Sequence, residues 1–134
     1  MSRFKLSQKS LDKLEGVHED LVEIVKMAIT RSDVDFTVGE GLRTVERQKQ
    51  LVKDGKSKTM LSRHLTGHAV DLWAIDPITH EISWEPKLYN SIADAMIESA
   101  AILGIPLTWG GNWKTFKDLV HFELPKSFKK YKGD

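Results

Sequence analysis

Any fold open to this chain has to bring together two segments that lie far apart in the sequence. The first is Ser62-Arg63-His64-Leu65-Thr66-Gly67-His68-Ala69-Val70-Asp71, which sets an imidazole and a carboxylate seven residues apart across a turn-forming glycine. In the second, Asp118-Leu119-Val120-His121-Phe122-Glu123, another imidazole follows a carboxylate by three positions at the start of a strand-like run. His64, Asp71 and His121 supply two imidazoles and one carboxylate. That donor set suits zinc with an open fourth position, the arrangement of catalytic rather than structural zinc sites. Asp118 is left over to act on a water at that position.

Composition narrows the choice. The chain has no cysteine, which excludes disulfides, thiolate metal sites and cysteine nucleophiles, so a metal here must sit on histidine and carboxylate. Its 134 residues make one domain, 1–134, around a single core. A net charge of +1, from 20 basic and 19 acidic residues, gives no bulk attraction to nucleic acid or to a membrane surface. Met1 to Lys9 has no continuous apolar stretch, so no secretory signal is expected and the protein should be kept in a cytoplasm. Glu23 and Lys26 interrupt one long apolar run, and Gly104 and Pro106 the other, so no stable membrane insertion is expected.

Periodicity gives the element order. Ser7 to Leu14 reads as a short helix, and Val17 to Thr30 as a core helix with Val17, Leu21, Ile24, Val25, Ala28 and Ile29 in helical register. Asp35 to Gly39 reads as a strand, Thr44 to Lys53 as a polar helix, and Asp54 to Arg63 as a surface loop. Ala69 to Trp73 reads as a strand that puts Asp71 on one face and Val70 and Leu72 on the other. Ile82 to Trp84 returns as a hairpin, and Lys87 to Leu103 is amphipathic with Ile92, Ala93, Met96, Ile97, Ala100 and Ala101 inward. Leu107 to Trp109 and Val120 to Glu123 close the list as short strands. Helices and strands in mixed order, without regular βαβ alternation, make the class α+β.

Each candidate has an ordinary structural reading beside the functional one. His18, in the polar part of a helix, and His80, in a hairpin loop, keep the ordinary reading. His64 and His68 are spaced like the histidines of a zincin helix, but no Glu follows His64 and Gly67 would weaken such a helix. His68 also falls on the strand face opposite Asp71, so it is expected beside the metal or in the cleft rather than as a ligand. Asp71 lies between Ala69-Val70 and Leu72-Trp73, and a carboxylate buried there needs a cation or hydrogen bonds. Asp118 reads equally as a cap before the last strand. Arg43, where a strand ends and a helix begins, is either a surface ion pair or a guanidinium aimed into a cleft. The loop Trp109-Gly110-Gly111-Asn112-Trp113 is a packed turn or the wall of a groove. Lys126 to Lys132, with Phe128 and Tyr131 interleaved, reads first as a solvated tail.

Together these residues resemble the zinc D-Ala-D-Ala carboxypeptidase and L-alanyl-D-glutamate peptidase family, most closely its small phage endolysins. The pattern Ser-x-His-x-x-Gly-x-Ala-x-Asp is matched in full by Ser62, His64, Gly67, Ala69 and Asp71. The family's acidic residue three before a His is matched by Asp118 and His121, and Arg43 in Gly-Leu-Arg-Thr matches its substrate-contacting arginine. Trp109 to Gly111 is similar to the segment preceding the distal pattern. The match runs from the amino-terminal helices to the last strand.

The resemblance implies the small α+β fold shared by these peptidases and the Hedgehog signalling domain, an antiparallel sheet with flanking helices. It also implies one zinc on His64, Asp71 and His121, with Asp118 as the base that takes a proton from water and passes it to the leaving amine. Arg43 would stabilise the oxyanion or anchor a substrate carboxylate. Glu123, on the strand face of His121, would orient an imidazole. The implied partner is bacterial peptidoglycan, cut by a monomer at the L-alanyl-D-glutamate bond. The implied setting is phage lysis, with the enzyme held in the host bacterial cytoplasm until it reaches the cell wall. Asp rather than Glu at position 118 looks more like the endolysin branch. The rivals are a D-alanyl-D-alanine carboxypeptidase of the same fold and a non-catalytic, zinc-containing Hedgehog-like binding module.

Overall fold

The computed structural model describes residues 4–57, 60 and 62–125. Its strands are β1 (Phe36–Glu40), β2 (Ala69–Ile75), β3 (Ile82–Ser83), β4 (Thr108–Trp109) and β5 (His121–Glu123), and its helices α1 (Gln8–Lys13), α2 (Glu19–Arg31), α3 (Val45–Lys53) and α4 (Pro86–Leu103). Every strand pair is antiparallel, in the order β1-β2-β5-β4, and β3 pairs with the far end of β2. The α+β expectation therefore holds, with β2 at the centre of the sheet. Among the described residues no helix is long and apolar enough to cross a membrane.

Alternation along β2 divides the sheet into two faces. Val70, Leu72 and Ala74, with Phe36 and Val38 of β1 and Phe122 of β5, join the buried residues of α2 and α4 in one core. Asp71 and Trp73 lie on the opposite face, as the alternation predicts. Tyr89 of α4 enters at the β2 edge. Its hydroxyl accepts from the Ala74 amide at 3.0 Å and donates to the Ser83 carbonyl at 2.7 Å, which ties two-residue β3 to the sheet.

Side chains cap the helices. Ser7, His18 and Thr44 accept from the first-turn amides of α1, α2 and α3. His18 is thus a cap and not part of the helix body, and α2 begins two residues later than Val17. Ser10 of α1 accepts from the Val38 amide at 2.9 Å and so covers the open edge of β1. In α4 the buried stripe is Leu88, Tyr89, Ile92, Ala93, Ala95, Met96, Ser99 and Ala100. The expected inward Ile97 and Ala101 are instead exposed. The helix is rolled toward Tyr89 and Ser99, because the tyrosine must reach the edge of β2.

One irregularity positions the site. Val38 pairs with Leu72, but Glu40 pairs with Asp71, so Gly39 is an extra residue in β1. Regular pairing would have put Glu40 opposite Val70 on the core face. The bulge turns it onto the face of Asp71. The indole of Trp73 lies where a Cβ on Gly39 would be, so this position accepts only glycine without rearrangement.

Candidate active site

Asp71 and His121 are directly paired across β2 and β5, which brings their Cβ atoms to about 5 Å. His64 arrives from a 3₁₀ turn, Arg63–Thr66, that begins where the Ser62 hydroxyl accepts from the His64 amide and ends on Gly67 at φ 77°. A Cβ at Gly67 would meet the carbonyl oxygen of Gly16, so the left-handed turn is also a close approach to another segment. The surface loop expected over Asp54 to Arg63 therefore ends before Arg63, and Lys58, Thr59 and Leu61 lie outside the described residues.

Hydrogen bonds fix which nitrogen each imidazole offers. Nδ1 of His64 lies 2.9 Å from the Gly41 carbonyl, which can only accept, so Nδ1 carries the hydrogen and Nε2 faces Asp71 Oδ1 at 3.1 Å. Nε2 of His121 lies 2.7 Å from Glu123 Oε1, and its Nδ1 faces the same Asp71 oxygen at 3.2 Å. One ligand atom from each of His64, Asp71 and His121 lies within 4.8 Å of the others, and all three residues are buried. Two nitrogen lone pairs aimed at one carboxylate oxygen repel unless a proton or a cation lies between them. The donor set therefore fits a metal ion.

The charges respond in the same sense. Burial opposes ionisation of Asp71, but the imidazoles of His121 and His64, which can donate to it and carry positive charge once protonated, hold its carboxyl well below the usual carboxylate range. Burial would lower the pKa of His121. Hydrogen bonds and charge from Asp71 and Glu123 win instead and push it up to about 9, which favours the protonated imidazole when no metal is bound.

These donors open onto a cavity of about 410 Å³ that Arg43, Trp113 and Asp118 also line. Asp118 precedes the strand in a turn, with its amide on the Gly110 carbonyl and its carbonyl on the His121 amide. It is at once the cap and a cavity residue. Burial, and then the negative charge of Asp71, raise its pKa above the usual 3.8. Arg43 is no surface pair, since its side chain is only 8% exposed. Glu40 holds it through two contacts, Nη2 to Oε2 at 2.7 Å and Nε to Oε1 at 3.3 Å, and Nη1 donates to Gln48 at 2.8 Å. Its Nη2 lies 3.7 Å from Asp71 Oδ2.

The two loop tryptophans divide the two readings between them. Trp109 donates to the Leu119 carbonyl and stacks on Phe122, whereas Trp113 lines the cavity with its ring 5.2 Å from that of His121. His68 joins neither the donor set nor the cavity wall. Its Nδ1 lies 2.6 Å from the Thr66 hydroxyl and its ring stacks on His18 at 5.7 Å. Gln48, fully buried on the face of α3 that also buries Leu51, was not singled out from the sequence. Its position one turn before the inward Leu51 was the available signal. Lys126 to Lys132 lies outside the described residues.

An antiparallel sheet that buries a His-Asp-His set beneath an open cleft, with a further carboxylate and an arginine on the cleft wall, defines a small hydrolase built around a metal-holding cluster. The chain belongs to the phage L-alanyl-D-glutamate peptidase family, whose model matches residues 1–128. It is 29% identical over 127 residues to the L-alanyl-D-glutamate peptidase of Escherichia phage T5, covering 92% of this chain and 90% of that protein. It is 30% identical over 125 residues to the peptidoglycan L-alanyl-D-glutamate endopeptidase CwlK of Bacillus subtilis, covering 83% of this chain and 73% of that protein. The crystal structure of the Serratia marcescens L-Ala D-Glu endopeptidase ChiX is similar, with a TM-score of 0.85 and 45% identity over 91% of this chain and 90% of that one.

Proposed function

We propose that this chain is a zinc endopeptidase that hydrolyses the L-alanyl-D-glutamate bond of peptidoglycan stem peptides, with His64, Asp71 and His121 as the metal ligands. The observation that carries the reading is the convergence of two imidazole nitrogens on Asp71 Oδ1, each with its other nitrogen already engaged. A set of two nitrogens and one oxygen donor with no thiolate suits zinc, and a bound divalent ion supplies Lewis acidity toward water and the peptide carbonyl. Gly41 and Glu123 keep the two rings in the tautomers that present those nitrogens. Asp118, raised in pKa and beside the ligands, accepts the proton of the attacking water and delivers it to the leaving amine. Arg43, gripped by Glu40 and Gln48, is preorganised to hold the oxyanion or a nearby substrate group. Trp113 lines the cleft with its ring against that of His121.

Under this reading the enzyme is a monomer that acts in host lysis and stays in the bacterial cytoplasm until the wall becomes accessible. Digestion of purified peptidoglycan followed by mass spectrometry tests the bond. Stem peptides with D-Glu as a new amino terminus are the expected product, whereas free D-Ala without that terminus would assign the enzyme as a carboxypeptidase. Metal analysis should find one zinc per chain, lost in His64→Ala and in His121→Ala. Full occupancy in both variants would refute the ligand set.

A further inference from the structure

Four carboxylates, Glu40, Asp71, Asp118 and Glu123, and three permanent cations, Arg43, Lys56 and Arg63, line the cavity, and they are not all paired with one another. Glu40 is engaged by Arg43, Asp71 by the two imidazoles and Glu123 by His121, while Asp118 sits beside the imidazoles. On the cationic side Arg43 is committed, but Lys56 and Arg63, which line the same cavity, make no ion pair among the described residues. Arg63 uses one donor, Nη2, on the Leu124 carbonyl at 2.9 Å, while its Nε is buried without a hydrogen-bond partner among the described residues. A guanidinium has five donors in a planar fork, and leaving a charged one buried and unpaired is costly. Arg63 directly precedes the ligand His64, and its bond to Leu124 fixes the fork on the β5 side of Asp71. Arg43 is fixed on the β1 side.

We infer that Arg63, with Lys56 lining the same cavity, forms a subsite for the free carboxylate of the glutamyl residue on the leaving side of the scissile bond. The inference rests on the peptidase reading above and deepens it. A glutamyl residue whose amine is acylated by alanine, and one of whose two carboxyls carries the onward peptide, keeps the other carboxyl free close to the bond that breaks. A carboxylate is the acceptor to which a guanidinium can donate two parallel hydrogen bonds. A bond held between Arg43 and Arg63 would lie across the metal ligands, oriented at both ends.

The test compares two synthetic peptides that share the L-Ala–D-Glu bond, one with that carboxyl free and one with it converted to the primary amide. The wild-type enzyme should favour the acid by roughly 10- to 100-fold in kcat/KM, the size expected of a charge-assisted bond. Arg63→Gln should erase most of that preference by raising KM for the acid, with the amide peptide hardly changed, and Arg63→Lys should restore part of it. Equal wild-type cleavage of both peptides would overturn the subsite, as would an Arg63→Gln variant of normal melting temperature that keeps the preference. If Arg63→Gln does not fold, the wild-type ratio and its reduction in Lys56→Gln decide. Failure of the wild-type enzyme to cut either peptide at this bond would instead overturn the peptidase reading on which the subsite rests.

Discussion

Glu123 decides which nitrogen His121 offers, because a carboxylate 2.7 Å from Nε2 keeps the hydrogen there and leaves Nδ1 for the centre. Glu123→Ala should therefore fold normally and bind zinc 10- to 100-fold more weakly, roughly the usual cost of losing a partner that orients a ligand. Competition with a chelator of known affinity measures it, and unchanged affinity would show that the Asp71 contact alone orients the ring. On the proposed mechanism Asp118 is the residue that separates binding from chemistry. It lines the cavity without belonging to the three-donor cluster, so Asp118→Asn should keep its zinc and its melting temperature while kcat falls by roughly two to four orders of magnitude. Near-normal turnover with full zinc would move the base to another group. Asp118 and His121 are legible in the sequence because one short segment carries both. The grip of Glu40 and Gln48 on Arg43 is not, since it depends on a bulge in β1 and on the burial of Gln48 on the inner face of α3.

At the scale of elements, the strand alternation of Ala69 to Trp73 and the spacing of the two ligand segments foretold which face carries Asp71. They did not foretell that β1 would slip by one residue. Gly39 is the agent of that slip, and nothing in Phe36-Thr37-Val38-Gly39-Glu40 taken alone distinguishes a bulge from a strand end. The roll of α4 was hidden for a similar reason. Its apolar residues spread over a broad arc, and the choice of face falls to one hydroxyl, that of Tyr89 between Ala74 and Ser83. These two devices predict the same loss of stability but different effects on activity. Gly39→Ala drives a Cβ into the Trp73 indole and disturbs the placing of Glu40 under Arg43, so stability should fall by about 1–3 kcal/mol and kcat/KM should fall with it while zinc is retained. Tyr89→Phe strands the buried Ala74 amide and should cost about 1–3 kcal/mol with kcat/KM unchanged. Thermal melts beside steady-state assays distinguish them. A Gly39→Ala enzyme as unstable as expected but fully active would separate the bulge from the function.

For the molecule as a whole, the three candidate ligands come from two distant segments, His64 on a 3₁₀ turn and Asp71 and His121 on paired strands, so the cluster is assembled only when the sheet is formed. On the proposed reading metal binding and folding are then one equilibrium, and protons compete for the same place. In the metal-free protein His121 has a folded-state pKa of about 9 against an ordinary 6.5. A group whose pKa is raised on folding stabilises the fold fully below its unfolded value and loses that contribution as pH rises through the folded one. Asp71 acts with the opposite sign: held below its ordinary 3.8, it stabilises the fold above that value and the contribution is lost as pH falls. The metal-free chain should therefore melt progressively earlier as pH rises from 6.5 to 9. A zinc bound as proposed would take the place of that proton, so the zinc-loaded protein should lose little over the same interval, and its apparent zinc affinity should rise as His121 gives up its proton. Calorimetry of chelator-treated and zinc-loaded protein across that range measures both. A metal-free melting temperature that stays level from pH 6.5 to 9 would mean that no proton is held between His121 and Asp71, and the charge argument for the metal site would go with it.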